Sequence, residues 1–188
     1  MKHLVFSGLE VVKDIIGKSC PHFDSKGTIE KYLDEIGVPN TSVRYSYYYE
    51  NLINPFSKPQ EKDGVYELTL PMKGPMDAVS VEDGGPVVAA VFGNPQEYIG
   101  KKFGISGDRK TLTEYLAIMS ELSGKTFKYN EVDIDEYAKL PNPMAADMAA
   151  MFDFYARGNP GRDIALTKKL NPNALTFQEW ATKNKAKI

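Results

Sequence analysis

The stretch KHLVFSG, residues 2–8, decides the fold together with the helix and strand predicted after it. Leu4-Val5-Phe6 is a short apolar run stopped by Ser7-Gly8, the pattern of a strand buried in a parallel sheet. Val11 to Cys20 reads as a connecting segment, partly helical. Pro21 sits where a first helical turn tolerates it. From His22 to Ile36, the residues Ile29, Tyr32, Leu33 and Ile36 recur at three- and four-residue steps, which predicts a helix with Gly37 as its C-cap. Gly27 inside that helix costs about 1 kcal/mol relative to alanine, so close packing or a close backbone approach is expected there. Thr41 to Tyr49 is rich in β-branched and aromatic residues and reads as the next strand. Strand, helix and strand in this order form a β-α-β unit, which implies a parallel sheet with a right-handed crossover.

Further along, Glu50 to Phe56 leaves the strand and Ser57 to Gly64 reads as polar loop. Val65 to Leu70 is a strand, broken by Pro71 to Pro75. Ser80 is a good N-cap, with Asp83 completing a partial capping box, before an apolar helix that ends at Gly93. Lys102 to Ser106 is a short strand. Thr111 or Thr113 caps an amphipathic helix carrying Leu116, Met119 and Leu122 and ended by Gly124. Thr126 to Asn130 is a strand and Asp133 to Leu140 a short helix. Met144 to Ala156 is a longer helix whose Met148, Met151, Phe152 and Tyr155 read as a core stripe. Asp163 to Leu170 and a segment capped by Thr176 complete the helices. The chain looks α/β up to about residue 56 and mostly helical beyond about 107.

Composition narrows the function classes. In 188 residues, 42% are hydrophobic and 26% charged, so a sizeable core is available. The net charge is −2, with no basic block beyond Lys183, Lys185 and Lys187, which argues against direct nucleic-acid binding. No apolar run approaches the ~20 residues of a membrane span. The single cysteine, Cys20, allows no disulfide within the chain and fits a reducing, cytoplasmic or nuclear setting.

Several candidate sites fail on spacing. Cys20, His22 and Asp24, with His3, lack the paired motifs of a structural metal site, and no metal is expected. Ser7, His22 and Asp24 do not make a triad, because Asp24 lies two residues from His22 on a helix and points elsewhere. Gly100, Gly104 and Gly107 flank a strand rather than opening a helix, so they read as turns and not as a phosphate cradle. What remains is His22 and Lys26, four apart on one helical face, with Ser7 at a strand end and Tyr48 to Asn51 past the next strand. A lysine there can bond a ribose hydroxyl and attract a phosphate, and ligands of open α/β sheets bind at the carboxyl ends of strands.

The segments FSGLE (6–10), HFDSKG (22–27), IGVPNTSVR (36–44), YYEN (48–51), PMDAVSVEDGGPVV (75–88), MFDFYA (151–156), RDIALTKKLNP (162–172) and ALTFQEW (174–180) resemble those of the NmrA-like family. The family belongs to the atypical short-chain dehydrogenase/reductases. The resemblance implies an α/β fold: the C-terminal half of a Rossmann-type parallel sheet plus a smaller, mostly helical α+β C-terminal region. Residues 1–56, with 79–106 packing back on them, would be the partial NAD(P)-binding Rossmann fold. Residues 57–78 and 107–188 would be the smaller region.

The resemblance also implies a site and a role. Cofactor contacts would fall on Lys26, Tyr48, Tyr49, Glu50 and Asn51. His22 occupies the position of the tyrosine in the superfamily's Tyr-x-x-x-Lys pair, so His22 and Lys26 would handle protons only if the protein were an NAD(P)H-dependent reductase. Relatives with this change are regarded as redox sensors. They bind NADP(H) and pass its state to partners, including transcription regulators, without turnover. Relatives carry roughly a hundred residues before this first strand, including the glycine-rich loop that holds the pyrophosphate at a helix N-terminus. The expectation is therefore weak or absent NADP(H) binding by these 188 residues. The strand at 3–7 would be an exposed edge that favours a homo-oligomer. A cofactor-free protein-interaction module is the further alternative.

Overall fold

Strand β1 (Leu4–Phe6) pairs in parallel with β2 (Asn40–Tyr45), and the chain between them forms α1 (Val12–Ile16) and α2 (Pro21–Glu35). This is the expected β-α-β unit, seen in a computed structural model that describes residues 1–158 and 161–188. After β2 come β3 (Tyr47–Tyr48), a 3-10 turn (Tyr49–Leu52), β4 (Gln60–Lys62), β5 (Val65–Leu70) and β6 (Met76–Val79). Helices α3 (Gly84–Gly93) and α4 (Pro95–Tyr98) precede β7 (Lys102–Ile105) and β8 (Asp108–Lys110). Then follow α5 (Leu112–Ser123), β9 (Thr126–Glu131), α6 (Ile134–Ala138), α7 (Ala145–Gly158), β10 (Arg162–Asp163), α8 (Ile164–Leu170) and α9 (Phe177–Lys183).

The main sheet has the order β1-β2-β7-β10, and every pairing in it is parallel. Helices α3 and α8 cover it through a small core of Val43, Val87, Val91, Tyr98, Ile105 and Leu170. This is the α/β, Rossmann-type arrangement. A second sheet has the order β3-β6-β8, and a third the order β4-β5-β9.

Two expectations change. The single strand predicted over 41–49 is divided at Ser46. Residues 40–45 stay in the parallel sheet, and Tyr47–Tyr48 crosses to pair with β6. The predicted polar loop over 57–64 contains strand β4, which makes an antiparallel hairpin with β5. Its turn is Asp63-Gly64, with φ of 52° and 80°, the left-handed pair that a tight hairpin requires.

A larger core lies behind the second and third sheets. Tyr49, Tyr115, Phe177 and Trp180 pack with ring centroids between 4.7 and 6.4 Å apart. Each such ring removes enough apolar area to contribute about 1.5–3 kcal/mol. Helix α2 adds Phe23 to this core, edge-on to Phe154 and Tyr155 of α7. The helix approaches residues 10–11 so closely that a Cβ on Gly27 would lie 2.6 Å from Val11 Cγ2. Gly27 therefore serves close packing with the chain's own backbone.

Candidate functional site

A cavity of about 770 Å³ opens at the carboxyl ends of β1 and β2, where Ser7, Gly8, Tyr45 and Ser46 leave the sheet. Helix α2 supplies His22 and Lys26 from one side, and Tyr48 and Asn51 come from the segment after β2. The hairpin β4–β5 and helix α7 close the opposite wall. The position follows from the topology. Two parallel strands end side by side, their successors diverge to different sheets, and the divergence leaves a crevice.

Lys26 Nζ lies 3.4 Å from Ser7 Oγ, which holds the ammonium at the end of β1. The Tyr48 phenol is pushed above its ordinary range, chiefly by burial and then by the Glu50 carboxylate, so it stays a hydrogen-bond donor at neutral pH. Tyr45, edge-on to Tyr48 at 5.8 Å, is raised by burial and then by Tyr48. Burial pushes the Tyr47 phenol up, and the Asn51 side chain only partly offsets that rise.

The structure brings Lys26, Tyr48 and Asn51 to the cavity but not Tyr49 or Glu50. Tyr49 is fully buried among Tyr115, Phe177 and Trp180, and its hydroxyl donates to the Leu175 carbonyl. The Glu50 carboxylate turns to Ser80 Oγ (2.8 Å), the Val81 amide (3.1 Å) and the Trp180 indole (3.1 Å). Both side chains tie the turn after β3 to the core. Only the odd-even geometry of a two-residue strand running into a 3-10 turn separates them from Tyr48.

His22 Nδ1 lies 2.5 Å from Asp147 Oδ2 of α7. Sequence reasoning passed over Asp147. Its signal is that it is one of two carboxylates, with Asp153, set inside the otherwise apolar run MAADMAAMFDFY (144–155). Asp24, weighed as a triad member, instead accepts from the Cys20 amide (2.8 Å) and the Lys13 amide (3.1 Å), and His3 bonds Thr41. Among the described residues, Cys20, His22 and Asp147 bring their ligand atoms within 4.8 Å of one another. That is one ligand short of a closed structural site, and His22 Nδ1 is already taken by its hydrogen bond to Asp147.

Behind the cavity lies a buried ionic network that the motifs FSGLE and RDI had contained without a role. Arg162 bonds Glu10 at 2.6 Å and the Tyr45 carbonyl at 3.1 Å. Arg44 reaches Glu10 (3.3 Å) and Glu30 (2.5 Å), and Ser42 bonds Glu30 as well. Gly104 on β7 lies directly beneath Arg162, where a side chain would strike its stem.

The sequence model of the NmrA-like family matches residues 1–182. The chain belongs to the NmrA-like family. An NmrA-like family domain-containing protein of Dictyostelium discoideum is 24% identical over 200 residues, covering 100% of this chain and 66% of its own length. The solved structure of NmrA, a negative transcriptional regulator, in complex with NADP superposes with a TM-score of 0.79 at 19% identity, covering 97% of this chain and 64% of that one. The NADPH-dependent quinone oxidoreductase QOR2 of Escherichia coli, complexed with NADPH, gives 0.76 at 23% identity over 98% and 66%. At these identities the solved structures establish the shared Rossmann-type fold. This NmrA-like chain spans about two thirds of the length of the proteins it matches. Among its described residues, no helix is long and apolar enough to cross a membrane.

Proposed function

We propose that this chain is part of an NADP(H)-binding redox-sensing regulator, with the cavity as the pocket for the nicotinamide end of the cofactor. The observation that carries the reading is the convergence of Lys26, Tyr48 and Asn51 at the carboxyl ends of two parallel strands. Lys26 would bond the ribose hydroxyls. Tyr48 and Asn51 would orient the ring. The family supports the cofactor class, and the role of NmrA as a negative transcriptional regulator supports protein partners of the transcription-regulator kind. In this reading the protein binds without turnover and acts in the cytoplasm and nucleus. Residues 1–56 with 79–106 are read as the partial Rossmann part, and 57–78 with 107–188 as the smaller region, whose β4–β5 hairpin and helix α7 close the pocket.

These 188 residues hold no glycine-rich phosphate loop, so binding by this chain alone is weak, with Kd no tighter than the millimolar range, about −4 kcal/mol. Calorimetric titration with NADPH tests both statements. Micromolar affinity would sink the weak-binding claim, and millimolar binding unchanged by Lys26→Ala would sink the assignment of the pocket. The outer edge of β1, which pairs with β2 alone among the described residues, is proposed to self-associate. A clean monomer in sedimentation velocity at high concentration counts against that.

The His22–Asp147 pair favours a second reading, an NAD(P)H-dependent reductase in which His22 transfers the proton. NADPH oxidation with carbonyl substrates, lost on His22→Phe, would support that reading over the sensor.

A further inference from the structure

The cavity has a wall that the nicotinamide reading does not use. Helix α7 and the turn before it contribute Met144, Met148, Met151 and Phe152, and β5 contributes Leu68 and Leu70. Met side chains adapt to irregular apolar shapes, so this wall suits a small apolar body. The same helix carries Asp147 among the methionines. Asp147 is buried. Its Oδ2 bonds His22, and its Oδ1 has no hydrogen-bond partner among the described residues.

The bond to His22 fixes the imidazole. A carboxylate only accepts, so Nδ1 carries the hydrogen. Cys20 Sγ lies 3.6 Å from the same Nδ1, but its one hydrogen is directed elsewhere. Burial and the neighbouring Asp147 carboxylate hold its thiol protonated, and it donates to the Asp147 backbone carbonyl at 3.5 Å. In the neutral ring the lone pair then sits on Nε2. Nε2 makes no hydrogen bond to the protein among the described residues, and His22 lines the cavity. One helical turn on, Lys26 is a donor on the same rim.

We infer that the cavity takes a small apolar molecule bearing a hydroxyl group, which lies on the methionine wall and donates to His22 Nε2, with Asp147 as the residue that positions the imidazole. A hydroxyl is the group that fits this rim, because it donates to His22 and accepts from Lys26 at once. An ether or a carbonyl would set its lone pairs against that of Nε2. The inference rests on the cavity being a ligand site. It does not depend on whether this chain binds NADP(H) by itself.

The test uses two probes of matching shape, 2-naphthol and 2-methoxynaphthalene, titrated into the full chain at pH 8. One added hydrogen bond at a desolvated acceptor is worth about 1.4 kcal/mol, or tenfold in affinity. The expected result is therefore about tenfold tighter binding of 2-naphthol. His22→Phe should level the two probes, and Asp147→Ala should shrink the difference. In ¹⁵N spectra of the wild-type chain, His22 Nε2 should have a pyridine-type shift and Nδ1 a pyrrole-type shift, a readout that does not depend on any variant folding. Equal affinity for the two probes, no binding of either, or a hydrogen on Nε2 in the wild type each overturns the inference. Titrations with and without NADPH keep the readings apart. A preference for 2-naphthol alongside millimolar NADPH binding that Lys26→Ala leaves unchanged would keep this inference standing and fail the cofactor assignment.

Discussion

Arg162 Nη1 lies 2.6 Å from Glu10 Oε1, although the two residues stand 152 positions apart. Arg162 is wholly enclosed, and it also donates to the Tyr45 carbonyl at the end of β2. Through Arg44 the network extends to Glu30 on α2. One set of charges thus pins together the loop after β1, helix α2 and strands β2 and β10, which are the elements that frame the cavity. Desolvating such ions costs several kcal/mol each, so the network is better evidence for a fixed geometry than for net stability.

Removing one partner should nevertheless be costly, because the other is left buried and uncompensated. Arg162→Met is expected to lose about 3–5 kcal/mol in urea unfolding. Arg162→Lys should lose nearly as much, since one ammonium cannot serve both Glu10 and the Tyr45 carbonyl in the planar fork geometry of a guanidinium. The double variant Glu10→Leu/Arg162→Met should recover much of the loss. A near-neutral Arg162→Met would show that the network carries no structural weight.

The buried thiol gives an alkaline signature. Burial raises the Cys20 pKa in the folded chain, whereas an unfolded thiol titrates near 8.5. Above that value the unfolded state sheds a proton that the folded state keeps, so the stability this group contributes is present below about pH 8.5 and falls as pH rises. The fall in stability between pH 8 and pH 10 should be shallower in Cys20→Ala than in the wild type. The phenols of Tyr47, Tyr49 and Tyr115, also raised by burial, add a further fall that both proteins share. Thiol-specific reagents at pH 8 should label the unfolded chain and spare the folded one. Rapid labelling without denaturant would contradict the burial argument.

Helices α5 and α9 each begin with a complete capping box, Thr111 with Glu114 and Thr176 with Glu179. Thr176→Ala should cost about 1 kcal/mol, within the 0.5–2 range of lost caps. Thr176→Ser should cost little, because its hydroxyl can still accept from the Glu179 amide. Thermal unfolding of the two variants side by side separates the lost hydrogen bond from any effect of the missing methyl group.

Thr176 and, against Thr113, Thr111 were legible as caps because capping is a local code, as were β1, α2 and the left-handed Gly37 (φ 68°) after the helix. The partial box read at Ser80 is not formed, because the Asp83 carboxylate bonds Asn171 and the Leu175 amide instead. The break at Ser46 was not. SVRYSYYY is dominated by strand-favouring valine and tyrosine, and no glycine or proline marks the residue where the chain changes sheets. Strand β4 was hidden by its polar residues Gln60, Glu61 and Lys62, all exposed, although Asp63-Gly64 was a hairpin signal in plain view. At the site, Lys26, Tyr48 and Asn51 fell where the β-α-β order put them. Tyr49 and Glu50 are their chain neighbours, but a two-residue strand and a 3-10 turn rotate them into the core. Asp147 could not be read as a partner of His22, because what joins them is the packing of α7 against α2, 125 residues away in the chain.

Gly27→Ala sets two effects of opposite sign against each other. In an exposed helix the change would add about 1 kcal/mol of stability through helix propensity alone. At this position the new methyl would lie 2.6 Å from Val11 Cγ2, 2.7 Å from the Val11 amide nitrogen and 2.9 Å from the Glu10 carbonyl carbon. Val11 Cγ2 can swing away, but the two backbone atoms cannot, since Glu10 is held by Arg162 and Arg44. Overpacking a rigid site costs about 1–3 kcal/mol, so the clash should win and leave a net loss. Helix α2 would have to shift outward to relieve it, carrying His22 and Lys26 with it. The variant should therefore lose both stability in urea unfolding and the preference for 2-naphthol over its methyl ether. A more stable Gly27→Ala chain would show that α2 stands farther from residues 10–11 than this structure places it.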